Sequence, residues 1–351
     1  MSRIRRIRRK KPRTGSVWKK LLLWGVLGLL VLAAAAVAGS YLYVRAYLKS
    51  DGFLAMLEQS AVDDMNVETA RIDPLDWDGS GIRCGGVVME GHEFLTSLQA
   101  RNIETEFSRW ELLKRAFVIT SVNIAELKLH LAPVSFRFRE KPEGPRSWAE
   151  ENILPDTFRL EKGSIDSLSV SYGEAGRLYV LDGARVESAY DAGSSQYRFD
   201  VRGGKLLLPF QGCPEFSLMS GTAQFNHSSR RVNIPSCRLT TDAGGYLDIK
   251  GDWDGSSSSW TANVVVNGVP VSSILEDHWR KHVHGSVSGG IDLRGGRDGV
   301  THVAGLARLQ GGMLTGLPVL DRLALFCGSS RFRNLPLHEA SAQFVYQESA
   351  W

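Results

Sequence analysis

Three histidines in "HWRKHVH", His278, His282 and His284, are the side chains best spaced to hold a metal. On a helix His278 and His282 stand four apart and share a face, and Glu276 or Asp277 could add oxygen. Against this, His284 falls past the end of such a helix, no cysteine is close, and histidines at a helix terminus are ordinary surface residues. The expectation is no metal and no cofactor. No GxSxG elbow, GK[ST] phosphate loop, HExxH or dinucleotide glycine fingerprint occurs. The glycine doublets at 85–86, 203–204, 244–245, 289–290, 295–296 and 311–312 lack phosphate-cradle spacing. They suit strand ends, where turns need positive φ. Asp63–Asp64 and Glu150–Glu151 are sequence neighbours that point apart, so they read as solvated charges. Trp253, Trp260 and Trp279 could stack on sugars, but packing in a core or rim is the simpler use. No catalytic residue is assigned, and the chain reads as a non-enzyme.

Four cysteines, Cys84, Cys213, Cys237 and Cys327, fit an oxidising compartment but show no metal-type spacing. A hairpin turning at His227–Ser229 would set Cys237 opposite a residue near Met219, not Cys213. Isolated thiols are expected, with a Cys213–Cys237 disulfide as the alternative.

The elements around these residues are strands. Tyr197, Phe199 and Val201 alternate with polar residues, as do Phe216 and Leu218, and Val232 and Ile234; Leu206, Leu208 and Phe210 form another run of period two. Leu247 and Ile249 follow, and Trp260, Ala262, Val264 and Val266 complete a clear period of two. Glycine and polar clusters such as "DAGSSQ" and "DWDGSSSS" punctuate them. Each strand then has one apolar and one wet face, the pattern of an antiparallel sheet covered on one side. With 36 Gly and only 12 Pro, composition agrees with many short strands and tight turns. Few helices are available as covers. Candidates are Tyr47 to Ala61, the turn Trp110 to Lys114, 271–281, and 317–326, which opens on Pro318. A sandwich folded on itself, or a long curved sheet whose apolar face lines a groove, would each accommodate that face.

Charge is concentrated at one end. Of 42 Lys and Arg, ten lie in residues 1–20 with no acid, leaving 32 against 38 acids in the rest. Residues 21–44 carry no charge. As a helix rising about 1.5 Å per residue they span roughly 36 Å, enough for a hydrocarbon core of about 30 Å. Trp18 and Trp24 flank one end, and Tyr41, Tyr43 and Tyr47 the other. The reading is a single-pass anchor with residues 1–20 cytoplasmic and the body exported; nucleic acid is not the expected partner of the basic stub. A cleaved signal peptide, with "AVA" at Ala36 to Ala38, is the rival. The expected organisation is a basic stub 1–20, transmembrane helix 21–44, β region 45–138, polar linker 139–156 and β region 157–351.

The C-terminal third carries a family resemblance. "WTANVVVNGVPVSSILEDHWRKHVHGSVSGGIDLRG" and "GLARLQGGMLTGLPVLDRLALFCGSSRFRNLPLHEASAQF" are similar to the signature of AsmA-like envelope proteins, whose larger relatives include TamB. Gly311, Gly312, Gly316, Leu317, Pro318, Leu320, Leu323, Phe332 and Leu337 stand at the matching places. "SRWELLKRAFVITSVNIAELKLHL" resembles the N-terminal strand pattern, so the likeness covers about half the chain. It implies a mainly β fold with few short helices, a single N-terminal transmembrane helix and an elongated, curved antiparallel groove. It also implies an inner-membrane anchor, a periplasmic body, a phospholipid or other acyl-lipid cargo, a role in outer-envelope biogenesis and no enzymatic activity.

On that reading Leu206, Leu208, Val232, Ile234, Leu247, Ile249, Val264 and Val266 line the groove. Leu317, Leu320, Leu323 and Ala324 form a helix capping one end. Roughly fifteen strands at about 4.8 Å give a sheet near 70 Å, short for a complete bridge across a periplasm; a truncated member, an envelope protein that completes the route and a more local role are the alternatives. The alternative is a membrane-tethered periplasmic β-scaffold that binds an envelope protein without moving lipid.

Overall fold

The computed structural model describes residue 46 and the segments 50–77, 81–91, 94–108, 116–133, 157–174, 176–209, 213–226, 228–275, 277–296, 299–337 and 340–347. The basic stub, the apolar stretch 21–44, the turn expected at Trp110–Lys114 and the linker 139–156 lie outside the described residues. Among the described residues no helix is long and apolar enough to cross a membrane.

Among the described residues, the alternation read in the sequence becomes eighteen strands in one sheet. The first five are β1 (Thr69–Ile72), β2 (Leu75–Trp77), β3 (Gly81–Glu90), β4 (Leu95–Phe107) and β5 (Ala116–Leu131). Then come β6 (Thr157–Leu160), β7 (Lys162–Glu174), β8 (Arg177–Asp191), β9 (Gln196–Arg202) and β10 (Lys205–Leu207). The middle of the sheet holds β11 (Phe216–Asn226), β12 (Arg231–Thr241), β13 (Tyr246–Asp254) and β14 (Ser259–Pro270). It ends with β15 (Val283–Gly296), β16 (Gly299–Thr315), β17 (Asn334–Leu337) and β18 (Ala340–Gln347). Four neighbours are pairs laid end to end: β1 with β2 along β3, β6 with β7 along β5, β9 with β10 along β8, and β17 with β18 along β16. Counting each pair once leaves fourteen rungs, each bonded to the next in chain order.

One junction departs from the antiparallel expectation. β5 pairs in parallel with both β6 and β7. Short hairpins force antiparallel neighbours, whereas a parallel pair needs a connection of a dozen or more residues. The stretch between Leu131 and Thr157 has that length, so the sheet is mixed. The break between β9 and β10 falls at Gly203 and Gly204, with φ of 69° and 89°. Register shifts recur in β11 against β12, β12 against β13, and β14 and β16 against β15. Such bulges bend a strand and raise its twist.

Helices are few. Helix α1 (Asp51–Met65) starts where the Ser50 hydroxyl accepts from the Phe53 N–H and stops at Asn66, whose φ of 52° is left-handed. It packs on β1, and Glu58 Oε1 accepts the Ile72 N–H at 2.9 Å. The helix expected over 271–281 is instead a 3-10 turn, Val271–Ser273, and a short helix α2 (Asp277–Arg280). Local bonds close each turn separately: Ser273 Oγ donates to Pro270 O at 2.6 Å, and Arg280 Nε to Leu275 O at 2.8 Å. Helix α3 (Pro318–Phe326) opens on its proline as expected. Leu320 and Ala324, one turn apart, are 8% and 6% exposed, but Leu323 is 42% exposed. Gly328, at φ 62°, turns the chain back, and the 3-10 turn Ser330–Arg333 packs on the helix. Leu323, placed against the sheet on the capping reading, is partly open to solvent.

A cluster of buried apolar residues forms from Phe216, Leu218 and Leu239 on β11 and β12, flanked by Leu206, Leu208, Cys237, Leu247 and Ile249.

Candidate functional site

Register decides which side chains share a face. Starting from β2, Leu75 stands opposite Cys84, Cys84 opposite Ile103, and Ile103 opposite Ile124. The row crosses the parallel junction to Ile165, then passes to Val186, Val201 and Gly221. From there it runs through Cys237, Ile249, Val264, Ile291 and Gly305 to Phe344 on β18. Every one of the fourteen rungs contributes one residue, and each is apolar or glycine. Flanking rows are largely apolar, with Thr105 and Ser188 as polar members of the one through Ile82 and Val122. Leu218, Leu239, Leu247, Val266, Gly289, Ala307 and Ala342 form one, and Val87, Ala100, Leu127 and Leu168 continue it on the far side of the junction.

The expected lining residues fall on this face. Ile249 pairs with Val264 and Leu247 with Val266. Val232 and Ile234 join the same side through Trp253 and Gly251, and Leu206 through Phe216. Leu208, one residue beyond β10, packs against the Phe216 cluster. All eight are half-buried.

The opposite face is charged. Arg83 meets Glu104 at 3.4 Å, Arg101 meets Glu126 at 3.3 Å and Arg185 meets Asp166 at 3.7 Å. Arg238 grips Asp248 through two bonds of 2.7 and 2.8 Å. Exposed pairs of this kind contribute little stability; they keep that face wet. The Arg238 pair holds the Asp248 carboxyl below its ordinary range, and Lys128, with Arg101, does the same for Glu126.

The apolar face is incompletely covered. No large side chain among the described residues is fully buried. Two sheets interdigitating face to face would bury their inner side chains at close-packed density; here Ile103, Ile124, Ile165, Val201 and Ile249 are each only half-buried. A pocket of about 190 Å³ opens on this face, between Phe216, Leu247, Val266, Val287 and Ile291, with Ile274 at its rim. No charged residue lines it.

The histidines do not converge on a metal. His278 is exposed on α2 with its ring 5.2 Å from that of Trp279. His282 follows the helix, its Nδ1 2.9 Å from Thr315 O, and His284 Nε2 is 3.1 Å from Thr315 Oγ1. The i, i+4 face drawn from the sequence is thus absent, because the helix stops at Arg280. Among the described residues no cluster of three or more metal-type side chains occurs. All four cysteines are free thiols. Cys237 stands opposite Gly221, two residues from the Met219 expected, and neither is Cys213. Burial pushes the Cys213 and Cys237 thiols up.

Two polar features were not anticipated. His130 Nδ1 lies 2.5 Å from Ser171 Oγ across the parallel junction, and the same hydroxyl lies 3.4 Å from Leu129 O. This is a bridge between strands. A concavity of about 550 Å³ lies among Gln224, Asn226, Arg231, Asn233, Asp252 and Asp254. Its groups satisfy one another: Asn233 Nδ2 donates to Asp252 at 2.6 Å and Arg231 to Asp254 at 3.0 Å. Neither arrangement sets a nucleophile beside a base with a third group to orient it.

No family model, curated protein or solved structure matches this chain.

Proposed function

We propose that this chain binds or conducts phospholipid along the apolar face of its sheet, as an AsmA-like protein anchored in the inner membrane by residues 21–44. The body then lies in the periplasm as an elongated, curved groove serving the outer envelope. One observation carries the reading: the row from Leu75 to Phe344, with an apolar residue or glycine on every rung and no polar interruption.

The energetics fit. Exposing a methylene to water costs about 0.8 kcal/mol, so an acyl chain of about fifteen methylenes faces about 12 kcal/mol on crossing water alone. A continuous apolar lane removes most of that at every step and requires no catalytic residue. Fourteen rungs at about 4.8 Å make a lane near 60 Å long, and the headgroup travels in solvent.

The test is site-specific photocrosslinking. A photoreactive residue at Val264 or Leu208 in the full chain should give lipid adducts, and one at Asp248, on the charged face, should not. Lipid-loaded protein with both Val264 and Leu208 unlabelled defeats the proposal.

A second reading, a tethered scaffold for an envelope protein, is favoured by β18. Its outer edge has no strand partner among the described residues, and "ASAQFVYQ" contains no charge and no proline. Such an edge is a template for strand addition. Adducts to protein at Val345, with none to lipid at Val264, would favour it.

A further inference from the structure

Helix α3 is apolar around most of its circumference, yet only Leu320 and Ala324 are covered. Val319, Leu323 and Phe326 recur at i, i+4 and i+7 and stand 62%, 42% and 93% exposed; Leu325, on another side, is 76% exposed. Phe332 and Leu335, just beyond the helix, are also exposed. A helix apolar on nearly all sides is normally buried. This one packs on the four-residue turn Ser330–Arg333 and leaves its largest side chain bare.

Its surroundings are mainly basic, with three arginines to one acid. Between Gly311 and Leu337 the charged residues are Arg322, Arg331, Arg333 and Asp321. Asp321 lies 3.7 Å from Arg333. Arg322 sits three residues after Val319 and four before Phe326, on the edge of the exposed stripe. Bulky apolar side chains edged by arginine, with the single acid paired to Arg333, match the interface of an anionic bilayer. There the rings and methyls enter the acyl boundary and the guanidinium groups meet lipid phosphates. A protein partner would satisfy the apolar residues but gives no reason for the cationic rim.

We propose that α3 is a membrane-docking tip that inserts Val319, Leu323, Leu325 and Phe326 into the headgroup layer of anionic phospholipid. This assignment is independent of the groove: it needs neither an acyl chain on the Val264 face nor movement of lipid.

Cys327, exposed and next to Phe326, provides the probe site, since the other three thiols are buried or half-buried. The full chain, briefly labelled there with an environment-sensitive fluorophore, is reconstituted into phosphatidylcholine vesicles with or without phosphatidylglycerol. Lipids carrying a nitroxide quencher are included. The expected result is a blue-shifted emission, quenched by the nitroxide when phosphatidylglycerol is present. Phe326→Ser with Leu325→Ser should abolish the quenching, and these exposed positions leave the fold intact. Arg322→Gln and Arg331→Gln should each lower the ratio of quenched to unquenched tip in anionic vesicles about fivefold. A blue shift without nitroxide quenching would mean that protein, a second copy included, covers the tip, and would overturn the proposal. So would quenching unchanged by Phe326→Ser. Photocrosslinking at Val264 in the same vesicles reports the groove separately.

Discussion

Ile124 and Ile165 stand opposite one another across the sheet's parallel junction, and through them the apolar row passes from β5 to β7. The junction joins the two halves of the chain, so a polar residue there would divide the lane without touching either end. Ile165→Asp places a carboxylate in mid-row. The expected outcome is loss of lipid transfer between vesicles by the full chain. Crosslinking from Ile103 and from Val264, on either side of the block, should then become unequal. Unchanged transfer and equal adducts would show that lipid does not follow the row.

Leu239 anchors the Phe216 cluster at 4% exposure. Leu239→Ala removes buried methylenes from that cluster. The expected loss is about 2–4 kcal/mol, read as a lower urea midpoint with an unchanged slope.

Gly204 holds φ at 89° where β9 gives way to β10, and a Cβ there would meet Ala184. Gly204→Ala combines a left-handed backbone with a clash against a neighbouring strand. A cost of about 1–3 kcal/mol follows. Gly203→Ala, at φ 69° but with open space, should cost less. Equal losses at the two positions would show that backbone strain alone matters.

Acid should loosen the hairpin ends. Asp254 is held down to about 2 from an ordinary 3.8, chiefly by the Ser256 hydroxyl and N–H and then by Arg231. A carboxyl depressed in the folded state adds stability above its unfolded value, and loses it as pH falls through the folded one. The window therefore runs from 3.8 down to about 2. Asp191, lowered by Ser194 and Gly193, and Asp200, lowered by Arg198, act with the same sign. A carboxyl-carbon NMR titration should put the Asp254 midpoint near 2, and Ser256→Ala should move it up.

The thiols should separate by rate. Cys327 is exposed, whereas burial raises the Cys84 and Cys237 thiols and leaves less thiolate to react. Timed alkylation read by mass spectrometry should modify Cys327 first and reach Cys84 and Cys237 only as denaturant is added. Simultaneous modification would mean that the β3 and β12 region opens readily.

Much of the strand content was legible because a half-covered sheet writes itself as a period of two. Tyr197 to Val201, Phe216 to Phe225 and Trp260 to Val266 each lie in a strand. Pro318 also marked the start of α3. The 271–281 helix was misread because helical spacing persists over turns that local side-chain bonds close one at a time. Likewise, the spacing of Leu320, Leu323 and Ala324 gave a helix but not what the helix touches.

Alternation alone determined that this chain has many strands, each with one oily and one wet face, since side-chain direction along a strand is a local property. Whether those oily faces align was settled only by register. Each bulge or crossover shifts the phase of a strand against its neighbour, and a slip of one residue turns every side chain to the other side. The tertiary structure set Ile124 beside Ile165 and left Phe326 bare because pairing and packing depend on partners far away in the chain.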